Sequence, residues 1–293
     1  MKGLKVGRTS INPGVAMRAL EMYYPREERL LEDTYAVKLL PWWYGLSMNI
    51  MKNPRLRDRI IGKREKQFPG MLGGFLCRTV YIDDVLKGSI KNGVKTVVNL
   101  GAGFDTRPLR IPEAERIRFF EVDEPGIQEE KKKKLIKIDE TLPPNVTFVP
   151  MDFNTQSLEA ELTAAGFSDE VQILFIWEGV TQYITREAAE NTLRFIGTTP
   201  KGSRVVFTYV PQGFLDDPST DPTVIKIMDR VRKQGIKWVS GFYPEKVSED
   251  LARFNLKLIE DMGAKEHLER YITPAGRNLR VWDIEHCVLA EVM

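Results

Sequence analysis

The chain has 293 residues, enough for one large domain or two small ones with a buried core. Its 43 basic and 41 acidic residues give a net charge of +2, too even to indicate nucleic acid as the main partner. Two cysteines and two histidines are too few for a disulfide framework or a well-supported zinc site, so we predict no metal.

The beginning of the chain and its hydropathy indicate a compartment. The first twenty residues contain no continuous apolar segment, so we predict no signal peptide. No stretch approaches the ~20 apolar residues that span a bilayer. We therefore expect a reduced, cytoplasmic protein without a nucleic-acid or membrane partner.

Residues 1–90 are predicted to be helical and irregular. Residues 75–86 space their apolar side chains at three and four, as an amphipathic helix does, and this helix carries Arg78 towards the first strand. Trp42, Trp43 and Tyr44, which follow Pro41, are predicted mainly as core aromatics, with a lid over a pocket as the alternative. Further helices are predicted at 16–21 and 32–37.

From about residue 95, short apolar runs alternate with helical stretches, which predicts a parallel sheet covered on both faces. The lysine run at 131–134 is interpreted as a solvated helix face. Strands are predicted at 95–100, 117–122, 146–149, 171–177, 204–210, 256–260 and 283–289, and helices at 126–138, 155–165, 185–197, 222–234 and 244–255.

Composition also predicts the domain organisation. Residues 1–90 would form a helical N-terminal cap, and residues 91–293 the main α/β domain. A segment rich in proline, glycine and aspartate interrupts the pattern at about 211–243, and we interpret it as an insertion or lid.

The end of each predicted strand carries a residue type that suits a nucleoside ligand. The first strand ends in Gly101-Ala102-Gly103, where absent side chains let a ligand approach the main chain. Asp123 follows the second strand, at the distance typical of an acid that binds ribose hydroxyls. Asp152 and Phe153 follow the third, and offer an acceptor and a flat apolar contact to an adenine. Glu178 follows the fourth.

Two ligands compete for this set of residues. A nicotinamide dinucleotide requires a third glycine where this chain has Thr106, and Asp105 would place negative charge near the pyrophosphate. S-adenosylmethionine has no phosphate and carries a sulfonium and an ammonium group, which acids at the strand ends would attract. The residues therefore favour S-adenosylmethionine.

Three sequence blocks resemble the leucine carboxyl methyltransferase family, which includes phosphatase and polyketide carboxyl methyltransferases. They are residues 98–107 (VNLGAGFDTR), 120–125 (FEVDEP) and 177–183 (WEGVTQY). The resemblance extends from about residue 10 to the end of the chain. It implies a Rossmann-like class I methyltransferase fold, with a mostly parallel seven-stranded sheet and helices on both faces.

The resemblance also implies roles for individual residues. Arg78 would hold the methionine carboxylate, and Arg18 would belong to an N-terminal segment that closes over the cofactor tail and tightens on binding. Tyr183 would lie near the acceptor pocket, and Trp238 in an aromatic block that either lines it or serves packing. The cofactor-binding set is Arg18, Arg78, Gly101, Gly103, Asp123, Asp152, Phe153 and Glu178, and Tyr183 is the candidate catalytic residue.

The implied reaction is direct methyl transfer from a sulfonium to an acceptor oxygen. A carboxylate acceptor is already ionised at neutral pH and needs no general base, which fits the scarcity of histidine. We expect a small-molecule carboxylate, and the polar pair Thr181-Gln182 suggests a polar acceptor. The alternatives are a protein C-terminus, or a cofactor-binding protein or dehydrogenase of the same fold.

Overall fold

The computed structural model describes residues 12–233 and 235–293, and its centre is one seven-stranded sheet. The strands are β1 (Thr96–Leu100), β2 (Arg118–Asp123), β3 (Val146–Pro150), β4 (Ile173–Trp177), β5 (Arg204–Tyr209), β6 (Leu256–Met262) and β7 (His286–Val292). Their spatial order is β3-β2-β1-β4-β5-β7-β6.

Strand direction decides which residues meet at the functional edge of the sheet. Strands β1 to β5 are paired in parallel, whereas β7 runs antiparallel to both β5 and β6. The first residues of β7 therefore lie at the same edge as the carboxyl ends of β1 to β5, with His286 paired to Tyr209. The order reverses between β1 and β4, the place where open α/β sheets bind ligands.

Helices cover both faces of the sheet, and five of the described α-helices precede the first strand. In chain order they are α1 (Pro13–Glu21), α2 (Thr34–Leu39), α3 (Trp42–Met48), α4 (Pro54–Gln67), α5 (Met71–Lys91), α6 (Arg107–Arg110), α7 (Pro125–Asp139), α8 (Leu158–Ala164), α9 (Arg186–Thr198), α10 (Gln212–Asp216), α11 (Pro222–Lys233), α12 (Val247–Ala252) and α13 (Ala264–His267). Within the described residues, no helix is long and apolar enough to cross a membrane.

The central strands are apolar throughout because both of their faces are buried. Val98 packs on one face, with Leu193 of α9, while its neighbour Val97 packs on the other, with Ile82 and Leu86 of α5. Alternate residues of a strand point to opposite faces, so a strand covered on both sides needs apolar residues at every position. The predicted seven-stranded, mostly parallel sheet is confirmed.

Two predictions about single residues are wrong. Trp42 and Trp43 are not core aromatics, since they are 77% and 48% exposed, and it is Tyr44 that packs inward. The lysine run is not wholly solvated either, because Lys131 lies on the buried face of α7. Its Nζ is 2.6 Å from a carboxylate oxygen of Glu121 on β2, and both side chains are 2% exposed.

Candidate functional site

The turn after β1 is built around two glycines with positive φ angles. Gly101 has φ +67° and Gly103 φ +46°, a region that residues with a Cβ atom rarely adopt. A Cβ atom on Gly101 would lie 2.2 Å from Val180 Cγ2, whereas one on Gly103 would meet nothing nearer than the Gly101 carbonyl oxygen at 3.9 Å. The turn is thus packed below Gly101 and open beside Gly103, where a ligand can approach.

Replacing Gly101 with alanine is expected to lower the free energy of unfolding by about 1–3 kcal/mol, because φ is strained and the new methyl group overlaps Val180. Urea unfolding measures the loss. Gly126→Ala is the matched control, since nothing lies within 4 Å of its Cβ position, and it should be neutral or slightly stabilising. Equal stability of the Gly101 and Gly126 variants would contradict the packing described.

Asp123, at the end of β2, supports this turn from its other side. Its Oδ2 accepts a hydrogen bond from the Gly103 N–H at 2.5 Å, and its Oδ1 accepts one from the Glu124 N–H at 2.7 Å. The side chain is only half-buried, so its carboxylate also faces the open space beside Gly103. Burial raises the pKa of this carboxyl, although the two N–H groups oppose the shift.

Asp152 and Phe153 lie next to Asp123, because β3 is the neighbour of β2 and the Met151 N–H donates to the Asp123 carbonyl at 2.9 Å. Both side chains are half-buried. The Asp152 Oδ1 accepts a hydrogen bond from the Asn154 N–H at 2.9 Å, and Phe153 packs against the core beneath the sheet edge. The glycine turn, Asp123 and Asp152 are therefore contiguous along the sheet edge.

Arg78 projects from α5 to the opposite side of the turn. Its Nε donates to Glu178 at 2.8 Å, and its Nη1 donates to Glu285 at 2.5 Å. A Cβ atom on Gly179 would lie 3.4 Å from Arg78 Nη2, so the guanidinium lies against the backbone that follows β4. The arginine thus joins the end of β4 to the residue that precedes β7.

Arg107, at the start of α6, is the most buried cation of the site at 2% exposure. It contacts three carboxylates: Asp83 at 2.7 Å, Asp105 at 2.6 Å and Glu178 at 2.8 Å. Asp83 also pairs with Arg110, and Arg110 and Arg18 both lie near Asp33. The continuous ion-pair network comprises Arg18, Asp33, Arg110, Asp83, Arg107, Asp105, Glu178, Arg78 and Glu285.

Carboxylates outnumber guanidinium groups in this network. Four arginines face five carboxylates, and the nearby Asp123 adds a sixth. With all of them ionised, the site carries a net negative charge in a poorly solvated place, where electrostatic interactions are strong. Such a site attracts a cationic ligand.

Glu178 stays ionised in spite of its burial. Burial opposes its charge, but Arg107 and Arg78 outweigh burial and lower its pKa to about 2. A carboxyl whose pKa falls on folding stabilises the protein above its ordinary pKa, and this contribution is lost as the pH falls towards the folded-state value.

Between pH 6 and pH 3, the stability difference between the wild type and Glu178→Gln is therefore expected to narrow by about 2 kcal/mol. Urea unfolding at several pH values measures this difference. A gap that stays constant with pH would mean that the two arginines do not depress the Glu178 pKa.

Arg18 and Asp105 depart from what the sequence suggested. Arg18 already has partners without a ligand, since it donates to Asp33 and to the Phe104 carbonyl, each at 2.8 Å. Arg18 therefore does not gain its first partners from the cofactor, and the tightening of the N-terminal segment on binding stays a prediction. Asp105 points inward to Asn99 and Arg107, so it does not place charge against a bound ligand.

Tyr183 lies in a turn of 3₁₀ helix, Thr181–Tyr183, just after β4. Burial raises the pKa of its hydroxyl, and Arg78 and Glu285 are close enough to act on it electrostatically. The aromatic block closes over this turn, because the Val239 N–H donates to the Gln182 carbonyl at 2.8 Å and Ser240 Oγ donates to the Thr181 carbonyl at 2.9 Å.

Sequence reasoning missed several members of the site. Arg107 is part of the block used for the resemblance, but nothing in the spacing indicated that it would be buried among carboxylates. Asp83 lies on a helix face predicted only as amphipathic. Glu285 could be found only from the antiparallel direction of β7, which brings its start to the same sheet edge.

The sequence is similar to a protein-family model and to individual proteins. The family model for leucine carboxyl methyltransferase matches residues 14–197. YktD of Bacillus subtilis, named as an S-adenosyl-L-methionine-dependent methyltransferase, is 30% identical over 217 residues, which are 73% of this chain and 71% of YktD. SCO7813 of Streptomyces coelicolor, which is named in the same way, is 33% identical over 205 residues, 69% of each chain.

Solved structures share the fold. A Streptomyces avermitilis protein of the duf574 family superposes with a TM-score of 0.60 at 14% sequence identity, over 95% of this chain and 97% of that one. A Thermobifida fusca protein described as a methyltransferase gives 0.52 at 14% identity, over 93% and 97%. This is the class I methyltransferase fold, as the sequence resemblance implied. The chain is therefore an S-adenosylmethionine-dependent methyltransferase, and it belongs to the leucine carboxyl methyltransferase family.

Proposed function

We propose that the protein methylates an oxygen atom of a small molecule, and that the methylated group is a carboxylate. Bound S-adenosylmethionine supplies an electrophilic methyl group on a sulfonium. The residues present fit this cofactor, because the site is net negative, lacks a side chain at Gly103 and offers one arginine, Arg78, at its far end.

The order of these residues along the sheet edge supports a separate proposed role for each towards the cofactor. Asp152 and Phe153 would hold the adenine, and Asp123 the ribose hydroxyls. Glu178 would bind the ammonium group. Arg78 would bind the carboxylate of the cofactor. Gly101 and Gly103 would lie beneath the part of the cofactor between the ribose and this carboxylate, and Arg18 would close over its amino-acid tail.

Arg18 reaches that side because of α1. A Cβ atom on Gly14 would lie 3.5 Å from Arg18 Nη1 and 3.9 Å from Arg78 Nη2, so the two guanidinium groups flank the start of that helix. Both would be available to a carboxylate at the tail of the cofactor.

The pKa values and positions of the side chains that could act as a general base support a carboxylate acceptor. Glu178 is held by two arginines at a low pKa, and burial lowers the pKa of His267 to about 4 beside Tyr81. His286 Nδ1 lies 3.0 Å from Asp261, and this carboxylate outweighs burial and raises the histidine pKa. Among the described residues, no hydrogen bond or ion pair joins either histidine side chain to the network around Arg78, although His286 follows Glu285 in the chain. An acceptor that is ionised beforehand needs no base, so alignment and exclusion of water suffice.

Closure of the 238–242 segment over Thr181 and Gln182 supports a small acceptor rather than a protein C-terminus. These contacts hold the segment against the turn that contains Tyr183, where an extended peptide would need an open groove. Tyr183 would line the acceptor side of the methyl group.

The test uses cofactor labelled with tritium in its methyl group, together with a panel of alkanoic and benzoic acids and peptides with a C-terminal leucine. Methyl esters are cleaved by base to volatile methanol, whereas methyl ethers are not. Base-volatile label on a small acid is the expected result. Base-stable label would contradict a carboxylate acceptor, and label only on the peptides would contradict a small one.

A further inference from the structure

Three buried polar atoms around Tyr183 have no hydrogen-bond partner among the described residues. They are Gln182 Oε1, Glu285 Oε1 and Trp238 Nε1. Gln182 and Glu285 are only 5% and 8% exposed, so bulk solvent scarcely reaches these side chains. A buried polar atom without a partner is costly, and natural proteins keep few of them. Three around one tyrosine call for an explanation.

These atoms converge from different parts of the chain. Gln182 precedes Tyr183 in the turn after β4, and the Trp238 side chain comes from the segment that closes over this turn. Glu285 comes from the start of β7. Gln182, Trp238, Glu285 and Arg78 all lie close enough to Tyr183 to act on its hydroxyl. The Trp238 N–H approaches this hydroxyl without the geometry of a full hydrogen bond.

The Glu285 carboxylate is satisfied on one side only. Its Oε2 accepts a hydrogen bond from Arg78 at 2.5 Å, while its Oε1 accepts none. Arg78 in turn divides its hydrogen bonds between Glu178, on the cofactor side, and Glu285. Glu285 therefore lies at the boundary between the cofactor tail and the space beside Tyr183.

We propose that Gln182, Trp238 and Glu285 form the acceptor-binding subsite, and that they select a carboxylic acid bearing a hydroxyl or amino group. This inference rests on the proposed function. The two side-chain oxygens accept hydrogen bonds from the donor group of the acceptor, and the Trp238 N–H donates to one of its oxygens. An acid without a donor leaves the buried oxygens unpaired, and sites built for a hydrogen-bonding group reject such analogues strongly.

The test compares acids that differ only in the donor group: 3-hydroxybenzoate with 3-methylbenzoate, 3-hydroxybutyrate with 3-methylbutyrate, and 3-hydroxyoctanoate with octanoate. Each is titrated calorimetrically into protein saturated with S-adenosylhomocysteine, so no turnover is needed. We expect the donor-bearing member of at least one pair to bind at least about tenfold more tightly. No preference in any pair would overturn the proposal.

Gln182→Met is the informative variant. It removes an unpaired buried oxygen at nearly constant shape, so the preference for the donor-bearing acid should fall. Ser89→Ala is the matched control, because Ser89 Oγ is also buried without a partner but lies on α5, outside the site. It should raise stability and leave the preference unchanged. Loss of the preference in both variants, or in neither, would overturn the assignment of the subsite.

Glu285→Gln separates recognition from catalysis. If Glu285 recognises the acceptor, this variant should raise the KM for the hydroxy acid and keep kcat within about threefold of the wild type. A large loss of kcat that rising pH relieves would make Glu285 a general base and overturn its role here.

The labelling experiment separates failure of the proposed function from failure of the subsite. Base-stable label together with an intact donor preference would reject the carboxylate acceptor while keeping the subsite.

Discussion

Replacing Arg107 with methionine is expected to lower the free energy of unfolding by about 3–5 kcal/mol. The reason is the charge left behind, because Asp83, Asp105 and Glu178 all contact this one guanidinium at 2.6–2.8 Å. Among the residues that the structure describes, only Asp83 and Glu178 have a second arginine within ion-pair distance. Urea unfolding followed by circular dichroism measures the loss.

Two controls define this result. Arg107→Lys keeps the positive charge but not the planar guanidinium that contacts several carboxylates. It should therefore lower the free energy of unfolding by less than the methionine variant does. Arg26→Met removes an 82% exposed arginine with a single partner, Glu32, and should change stability by less than about 0.5 kcal/mol. Equal effects of Arg107→Met and Arg26→Met would show that the network does not stabilise the site.

Replacing Asp123 with alanine is expected to weaken the binding of S-adenosylmethionine about a hundredfold or more. The loss corresponds to the charge-assisted hydrogen bonds that the carboxylate would form with the ribose hydroxyls. The Gly103 N–H would also lose its acceptor, so the turn would be less well ordered. Calorimetric titration measures the affinity.

Asp169→Ala makes the same charge change at an exposed loop position and should leave the affinity unchanged. Asp123→Asn keeps one acceptor oxygen and should fall between the alanine variant and the wild type. Wild-type affinity in Asp123→Ala would exclude this side chain from the ribose site.

The site features that could be predicted from sequence all follow from one rule. In a parallel sheet the carboxyl ends of the strands share an edge, so residues that follow successive strands must lie together even when they are distant in sequence. Gly101, Asp123, Asp152 and Glu178 each follow a predicted strand, and the structure brings them together. Their separate roles towards the cofactor remain predictions.

Charge pairing could not be predicted in the same way. Whether an arginine is solvated or buried depends on which carboxylates the tertiary fold brings to it, and Arg107 meets acids from α5, from the turn after β1 and from the end of β4. Lys131 shows the same dependence, since its burial follows from the position of Glu121. Neighbours in sequence contain no such information.

Glu285 shows how strand direction adds a residue to a site. A strand parallel to β5 would have placed residue 285 at the opposite edge of the sheet, whereas the antiparallel β7 brings it to Arg78. Hydropathy predicted the strand but not its direction. The acceptor side of the site was therefore the part that sequence described least well.

A crystal structure of the complex with S-adenosylhomocysteine would show directly where the cofactor binds. We expect the adenine beside Asp152 and Phe153, with the ribose hydroxyls on Asp123 and the carboxylate on Arg78. A nucleoside bound elsewhere, with Asp123 and Arg78 free of it, would contradict this placement.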